Sequence, residues 1–206
     1  MRILGIRVGA VEAIMALCAI AFIATMAFPV KMAELFAVQP QTLFAKPWTA
    51  ITSMFLHADV MHIFFNMMAL YFFGLYLERL QGEGKMLKIF FLGGIAGSLL
   101  FTATSLFFNS PPSDTIAVCA SDGIFAIAGA LAILQPNMQI IMFPIFIPMP
   151  LYIAVFVFMV LLSFMPGVAW QGHLGGLIIG AIYGFIWKRK SKEITALHTK
   201  YGYRFV

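Results

Sequence analysis

Charge is what this sequence lacks most. Only 10% of its 206 residues are Asp, Glu, Lys or Arg, against about a quarter in ordinary soluble domains. The hydrophobic share is 62%, with 22 Phe and 14 Met, more than one soluble core of this length can hide. A water-soluble enzyme or a disordered chain is thereby excluded, and the sequence reads as a polytopic membrane protein with room for one bundle and no separate soluble domain. Cysteine is nearly absent as well. Cys18 lies within one apolar run and Cys119 near the start of another, which argues against a structural disulfide. Metal ligands are too few for a metal site, and no cofactor is expected. The first apolar run also lacks a small-residue cleavage site near it, so it reads as a retained first span.

The basic residues that do occur are unevenly placed. Arg2 and Arg7 precede the first apolar run, Arg79, Lys85 and Lys88 separate the second from the third, and Lys188, Arg189, Lys190, Lys192, Lys200 and Arg204 follow the last. Only Lys31 and Lys46 fall on the other side. This alternation is the positive-inside pattern, so both termini are expected in the cytoplasm and the number of spans is expected to be even. The net charge of +5 then needs no nucleic-acid partner, because the basic tail 188–206 suits anionic headgroups.

Spans are expected at about 9–28, 58–80, 86–107, 119–134, 150–164 and 171–187, an all-α bundle of six helices. The connection 30–56 mixes Leu35, Phe36, Leu43 and Phe44 with Pro40, Pro47 and Trp48, which fits a membrane-associated segment better than a solvated loop. The fourth span carries the most information. From Ser121 to Leu134 it has about fourteen residues, about 20 Å of helix, too short to cross a hydrocarbon core of about 30 Å. The chain above Ser121 should therefore be non-helical, which at that depth is tolerated only inside protein or along a wet cavity. A cavity above Ser121 is expected. Pro144, Pro148 and Pro150 delay regular helix in the fifth span until about Pro150.

Counted up from the expected cytoplasmic end of each span, Ser121, His173 and Asn66 come to the same depth, with His62 one turn above Asn66. Such groups are expensive inside a membrane. His173, Gly176, Gly180 and Gly184 form one stripe that lets another backbone approach closely. Ser121, Phe125 and Gly129 form the matching face of the fourth span. If the faces meet, Ser121 reaches His173 and Phe125 covers the imidazole from below. A hydroxyl bonded to an imidazole is a nucleophile with its base, and His62 and Asn66 are placed to donate to an oxyanion. Singly, each residue is explained as interhelical glue worth about 1 kcal/mol; together, at matched depth under a short span, they make a site. His57, at a loop boundary, is expected to be structural, and His198 to be solvated.

The run His57-Ala-Asp-Val-Met-His62-Ile-Phe-Phe-Asn66 resembles the second-span motif of the rhomboid intramembrane serine proteases. Ala120-Ser121, with Phe125 four residues on, is similar to their nucleophile motif, and His173-Leu-Gly-Gly176-Leu-Ile-Ile-Gly180 to their last-span motif. Trp48 and the Glu78-Arg79 pair with Gly82 fall where the family has an aromatic loop anchor and an acidic-basic turn. From Trp48 to Gly184 the resemblance implies a rhomboid-like six-helix protease with a membrane-embedded first loop. Ser121 would be the nucleophile, His173 the base with no aspartate, and His62 and Asn66 the oxyanion side chains. Phe125, Gly176, Gly180, His57 and Trp48 would support them. The fifth span and the loop before the sixth would admit substrate. The implied substrates are single-span membrane proteins whose helix unwinds at the cut, beside a small residue.

Three positions depart from the family pattern. Cys119 stands two residues before the nucleophile in place of glycine, and Asp122 stands directly after it, also in place of glycine. One residue turns a helix by about 100°, so Asp122 should point away from His173. Thr49 replaces a basic residue after the loop tryptophan. Two other functions compete with proteolysis. A catalytically inactive relative that binds transmembrane clients would generally have lost the serine or histidine. A small transporter would need charged residues along a path, and apart from Glu12 the spans carry no acid facing a basic partner.

Overall fold

Proline, glycine and asparagine set the ends of the helices. The computed structural model describes residues 2–3, 6–118, 120–142, 145–163, 165 and 167–201. A short antiparallel hairpin of β1 (Arg2–Ile3) and β2 (Ile6–Arg7) leads into α1 (Ala10–Ala27). Pro29 stops α1 and becomes the first residue of α2 (Pro29–Phe36), where its fixed φ suits the helix and its missing N–H is not needed. The last carbonyls of a helix have no partners within it. In α2 three in a row are taken by side chains further along: Lys46 Nζ donates to Glu34 O at 2.8 Å, Trp48 Nε1 to Leu35 O at 2.9 Å and Thr52 Oγ1 to Phe36 O at 2.9 Å. These bonds staple α3 (Thr49–Thr52) and the tight turn Ser53–Phe55 to the end of α2.

The second apolar helix starts at Asp59, whose carboxylate accepts the His62 N–H at 2.8 Å, the usual service of an N-cap. It comprises α4 (Val60–Ala69), a π-helical turn over Leu70–Gly74 and α5 (Leu75–Gln81). Gly82, at φ +91°, turns the chain into α6 (Glu83–Phe108), three residues before the expected start, and Asn109 closes α6 in the left-handed conformation, as C-caps commonly do.

α7 (Ala120–Leu134) is the core of the molecule. It is apolar nearly all round and buried continuously from Asp122 to Ala132, the mark of a helix enclosed on every side. α6 flanks it on one side and α9 (Trp170–Tyr201) on another. The approach to α9 is backbone on backbone. A Cβ on Gly176 would overlap the carbonyl of Asp122, and one on Gly180 the carbonyl of Ala126; one on Gly129 would stand 2.9 Å from the Leu177 carbonyl. Above α7 the chain is extended, and Val38 and Ala117 exchange backbone hydrogen bonds of 3.0 and 2.8 Å. Both residues are buried, so the non-helical approach to Ser121 is paired with the first connection and enclosed at Ala117, while Ile116 beside it is exposed.

Two stretches differ from expectation. The proline-rich run after α7 is a hairpin of β3 (Gln139–Met142) and β4 (Ile145–Pro150), followed by α8 (Leu151–Ser163). Its isoleucines favour strand, and a two-stranded hairpin is all edge, where proline is accepted. α9 also continues past Trp187 to Tyr201, because 188–201 contains neither glycine nor proline to stop it. At that end Lys188 Nζ donates to Ile133 O at 2.7 Å, while Lys85 and Lys88 lie over the rings of Trp187 and Tyr183 at 5.5 and 5.1 Å. Among the described residues, three helices are long and apolar enough to cross a membrane: Ala10–Ala27, Val60–Gln81 and Glu83–Phe108.

Candidate active site

Ser121 and His173 are both in the first turns of their helices, and the glycine contacts of α9 on α7 bring those turns together. Ser121 Oγ and His173 Nε2 are 2.7 Å apart, a good hydrogen-bond length. His173 is buried, and its Nδ1 has no hydrogen-bond partner among the described residues. With Nε2 accepting from the hydroxyl, the ring proton sits on Nδ1. The ring is held by stacking instead of a carboxylate: Phe125 lies against it at 4.6 Å between centroids and 22° between planes. Phe158 of α8 stacks on the far side of Phe125 at 6.2 Å and 19°. The sequence marks Phe125 through its spacing from Ser121, but nothing singles out Phe158 among the phenylalanines of its span.

His62 and Asn66 sit one turn apart on α4. The His62 ring Nδ1 is 3.5 Å from the Ala58 nitrogen, the outer limit of a hydrogen bond. Asn66 is buried, and its Nδ2 has no hydrogen-bond partner among the described residues. Both His62 and Asn66 belong to α4, which packs against α7. His57 is fully buried, and its ring meets His62 edge-on at 5.2 Å and 68°. Burial, reinforced by His62, pushes the His57 imidazole down to about 4 against the pull of the Phe55 backbone and Asp59. It is neutral near pH 7 and acts as a packed support for His62.

The other expected residues fall into place as follows. Trp48 anchors the first connection through Leu35, and Thr49 is buried with its hydroxyl donating to Lys46 O at 2.7 Å. Gly176 and Gly180 carry the contact of α9 on α7. Asp122 is buried, with its carboxylate directed at Gly97 of α6 and Gly172 of α9, an arrangement the spacing alone does not reveal. Cys119 lies outside the described residues. An apolar cavity of about 60 Å³ lies beside Phe125, lined by Ala69, Phe73, Ala154, Val155 and Phe158 among others. It opens between the second apolar helix, α7 and α8 and flanks Phe125. Among the described residues no group of three or more His, Cys, Asp or Glu is arranged to hold a metal.

The rhomboid domain family model matches residues 44–190, which include every site residue named above. Rhomboid protease AarA of Providencia stuartii is 33% identical over 156 residues, covering 66% of this chain and 54% of that protein. Inactive RHOMBOID-like protein 8 of Arabidopsis thaliana is 31% identical over 132 residues, covering 64% and 35%. Rhomboid protein 1, mitochondrial, of Saccharomyces cerevisiae is 28% identical over 154 residues, covering 66% and 40%. The chain thus spans about half or less of the length of these relatives. Its apolar helices make it an integral membrane protein, and the family model takes in the whole stretch from the first connection to the end of the last apolar run. This chain belongs to the rhomboid family.

Proposed function

We propose that this protein is an intramembrane serine endopeptidase that cleaves transmembrane segments of single-span membrane proteins. The observation that carries the reading is the 2.7 Å contact between Ser121 Oγ and His173 Nε2, formed at the top of a helix pair enclosed in an apolar bundle. Ser121 Oγ attacks the scissile carbonyl carbon while its proton passes to His173 Nε2. The Nδ2 of Asn66 and Nε2 of His62 donate to the oxygen that gains negative charge. The C–N bond then breaks, the new amine takes the proton from His173, and an acyl-enzyme on Ser121 remains. Water, deprotonated by His173, attacks that ester, frees the carboxylic acid and restores the hydroxyl.

The same reading assigns six spans, the three long ones plus α7, α8 and the first part of α9. The basic ends lie in the cytoplasm of a cell membrane, and α2 and α3 form a membrane-associated first loop. The surrounding lipid and the client helix are its partners. The family also contains a relative named inactive, which favours a second reading as a binder of transmembrane clients. Retention of both Ser121 and His173 in hydrogen-bond contact speaks for the protease. Purified protein in liposomes should cleave a single-span reporter, and Ser121→Ala should abolish the product. A fluorophosphonate should label Ser121 only while His173 is intact. No cleavage by the unaltered protein, or undiminished cleavage by Ser121→Ala, would overturn the proposal.

A further inference from the structure

Asp122 directly follows Ser121, and Gly172 directly precedes His173. The Asp122 side chain is 2% exposed. The three atoms nearest to a Cβ built on Gly172 all belong to it: Oδ2 at 2.6 Å, Oδ1 at 2.7 Å and Cγ at 2.9 Å. The same is true across the helix on α6, where a Cβ on Gly97 would overlap Oδ2 and stand 2.6 Å from Cγ and 2.7 Å from Cβ of Asp122. One carboxylate therefore fills the space that two alanines would take, one on each flanking helix.

We propose that Asp122 is a positioning residue, a wedge seated between Gly97 and Gly172 that sets the spacing of the helix bearing Ser121 from the helix bearing His173. The inference rests on the dyad reading above. Lower down, α7 and α9 touch backbone to backbone at Gly176 and Gly180. At the level of the dyad the Asp122 side chain stands between them, one residue from each reacting group. A change of spacing there passes to the Oγ–Nε2 distance with almost no lever arm. The wedge acts by shape. Rotation about χ1 cannot withdraw the Asp122 Cβ from Gly97.

The test compares Asp122→Asn, Asp122→Gly, Gly172→Ala and the double variant Asp122→Gly/Gly172→Ala in liposomes, by reporter kcat and KM, fluorophosphonate labelling rate and melting temperature. Asn keeps the shape and should hold kcat within about threefold, whereas Asp122→Gly should lower it by up to about tenfold with KM unchanged. Gly172→Ala should lower kcat by about 10²-fold, the scale of a 1 Å misplacement. The double variant should recover at least about tenfold of that loss, because the methyl enters the space the acid vacates. Losses that simply multiply would overturn the wedge. So would an Asn variant as poor as Gly, which would mean that charge matters, or a change in KM with kcat intact. Failure of the protease reading is separate: an inactive unaltered protein leaves the melting temperatures as the test. The destabilisation by Gly172→Ala should then disappear in the Asp122→Gly background, and its persistence would refute the wedge.

Discussion

At the scale of the residue, the candidate site is an imidazole steadied by a ring. Among the described residues His173 has no hydrogen-bond partner at Nδ1, and Phe125, stacked in turn on Phe158, fixes its plane. On the proposed protease mechanism, this places most of the demand for charge stabilisation on His62 and Asn66 as oxyanion donors. Asn66→Ala should lower kcat by about 10²–10³-fold, the usual loss for one such donor, with KM within about threefold. Steady-state kinetics on the reporter check this, and a KM effect with kcat preserved would make Asn66 interhelical glue. Ser121, His173 and Asn66 were legible because polar side chains stand out in apolar runs and can be counted to a common depth. The seat of Asp122 was not. The helix α6 offers Gly93, Gly94 and Gly97, and spacing alone does not say which of them faces the residue after the nucleophile.

At the scale of the element, the first connection is held by donors to helix-end carbonyls. Trp48→Phe keeps a six-membered ring but removes the bond to Leu35 O and the pyrrole half of the indole, so it should cost at least about 1 kcal/mol, the net worth of one such bond. Trp48→Ala should cost more, through lost ring packing. Thermal unfolding in detergent measures both, and equal losses would show that the ring contributes nothing. The apolar, proline-punctuated composition of this stretch was enough to set it apart from a solvated loop. The pairing of Lys46, Trp48 and Thr52 with three consecutive carbonyls depends on a fold-back that composition does not encode. The short α7 was legible from length alone. The β3–β4 hairpin was not, because prolines that end a helix are equally at home on a free strand edge.

At the scale of the whole molecule, apolar side chains fill the core and also cover the outside. Large apolar side chains face away from the core along its length, among them Ile23, Phe107, Phe156 and Phe185, a surface suited to acyl chains. The alternation of basic residues was the clearest whole-chain signal, and it assigns sides. In a cysteine-free background, Lys85→Cys should react with an impermeant maleimide only from the cytoplasmic face and Ser110→Cys only from the opposite one. Labelling of both from one side would contradict the assigned topology. What the sequence could not supply at this scale was the order of enclosure, with α7 between α6 and α9, since a helix apolar on all faces carries no direction.

Backbone contact at Gly176 and Gly180 also limits how the gene can vary. Every amino acid other than glycine brings a Cβ, and at these two positions it would overlap the carbonyls of Asp122 and Ala126. No change of residue there is conservative. Ile178 and Ile182, each 47% exposed, look outward and accept any apolar replacement. Mutational tolerance along α9 therefore rises and falls with the helical period, and the spacing of Ser121 from His173 is inherited through positions that have no side chain.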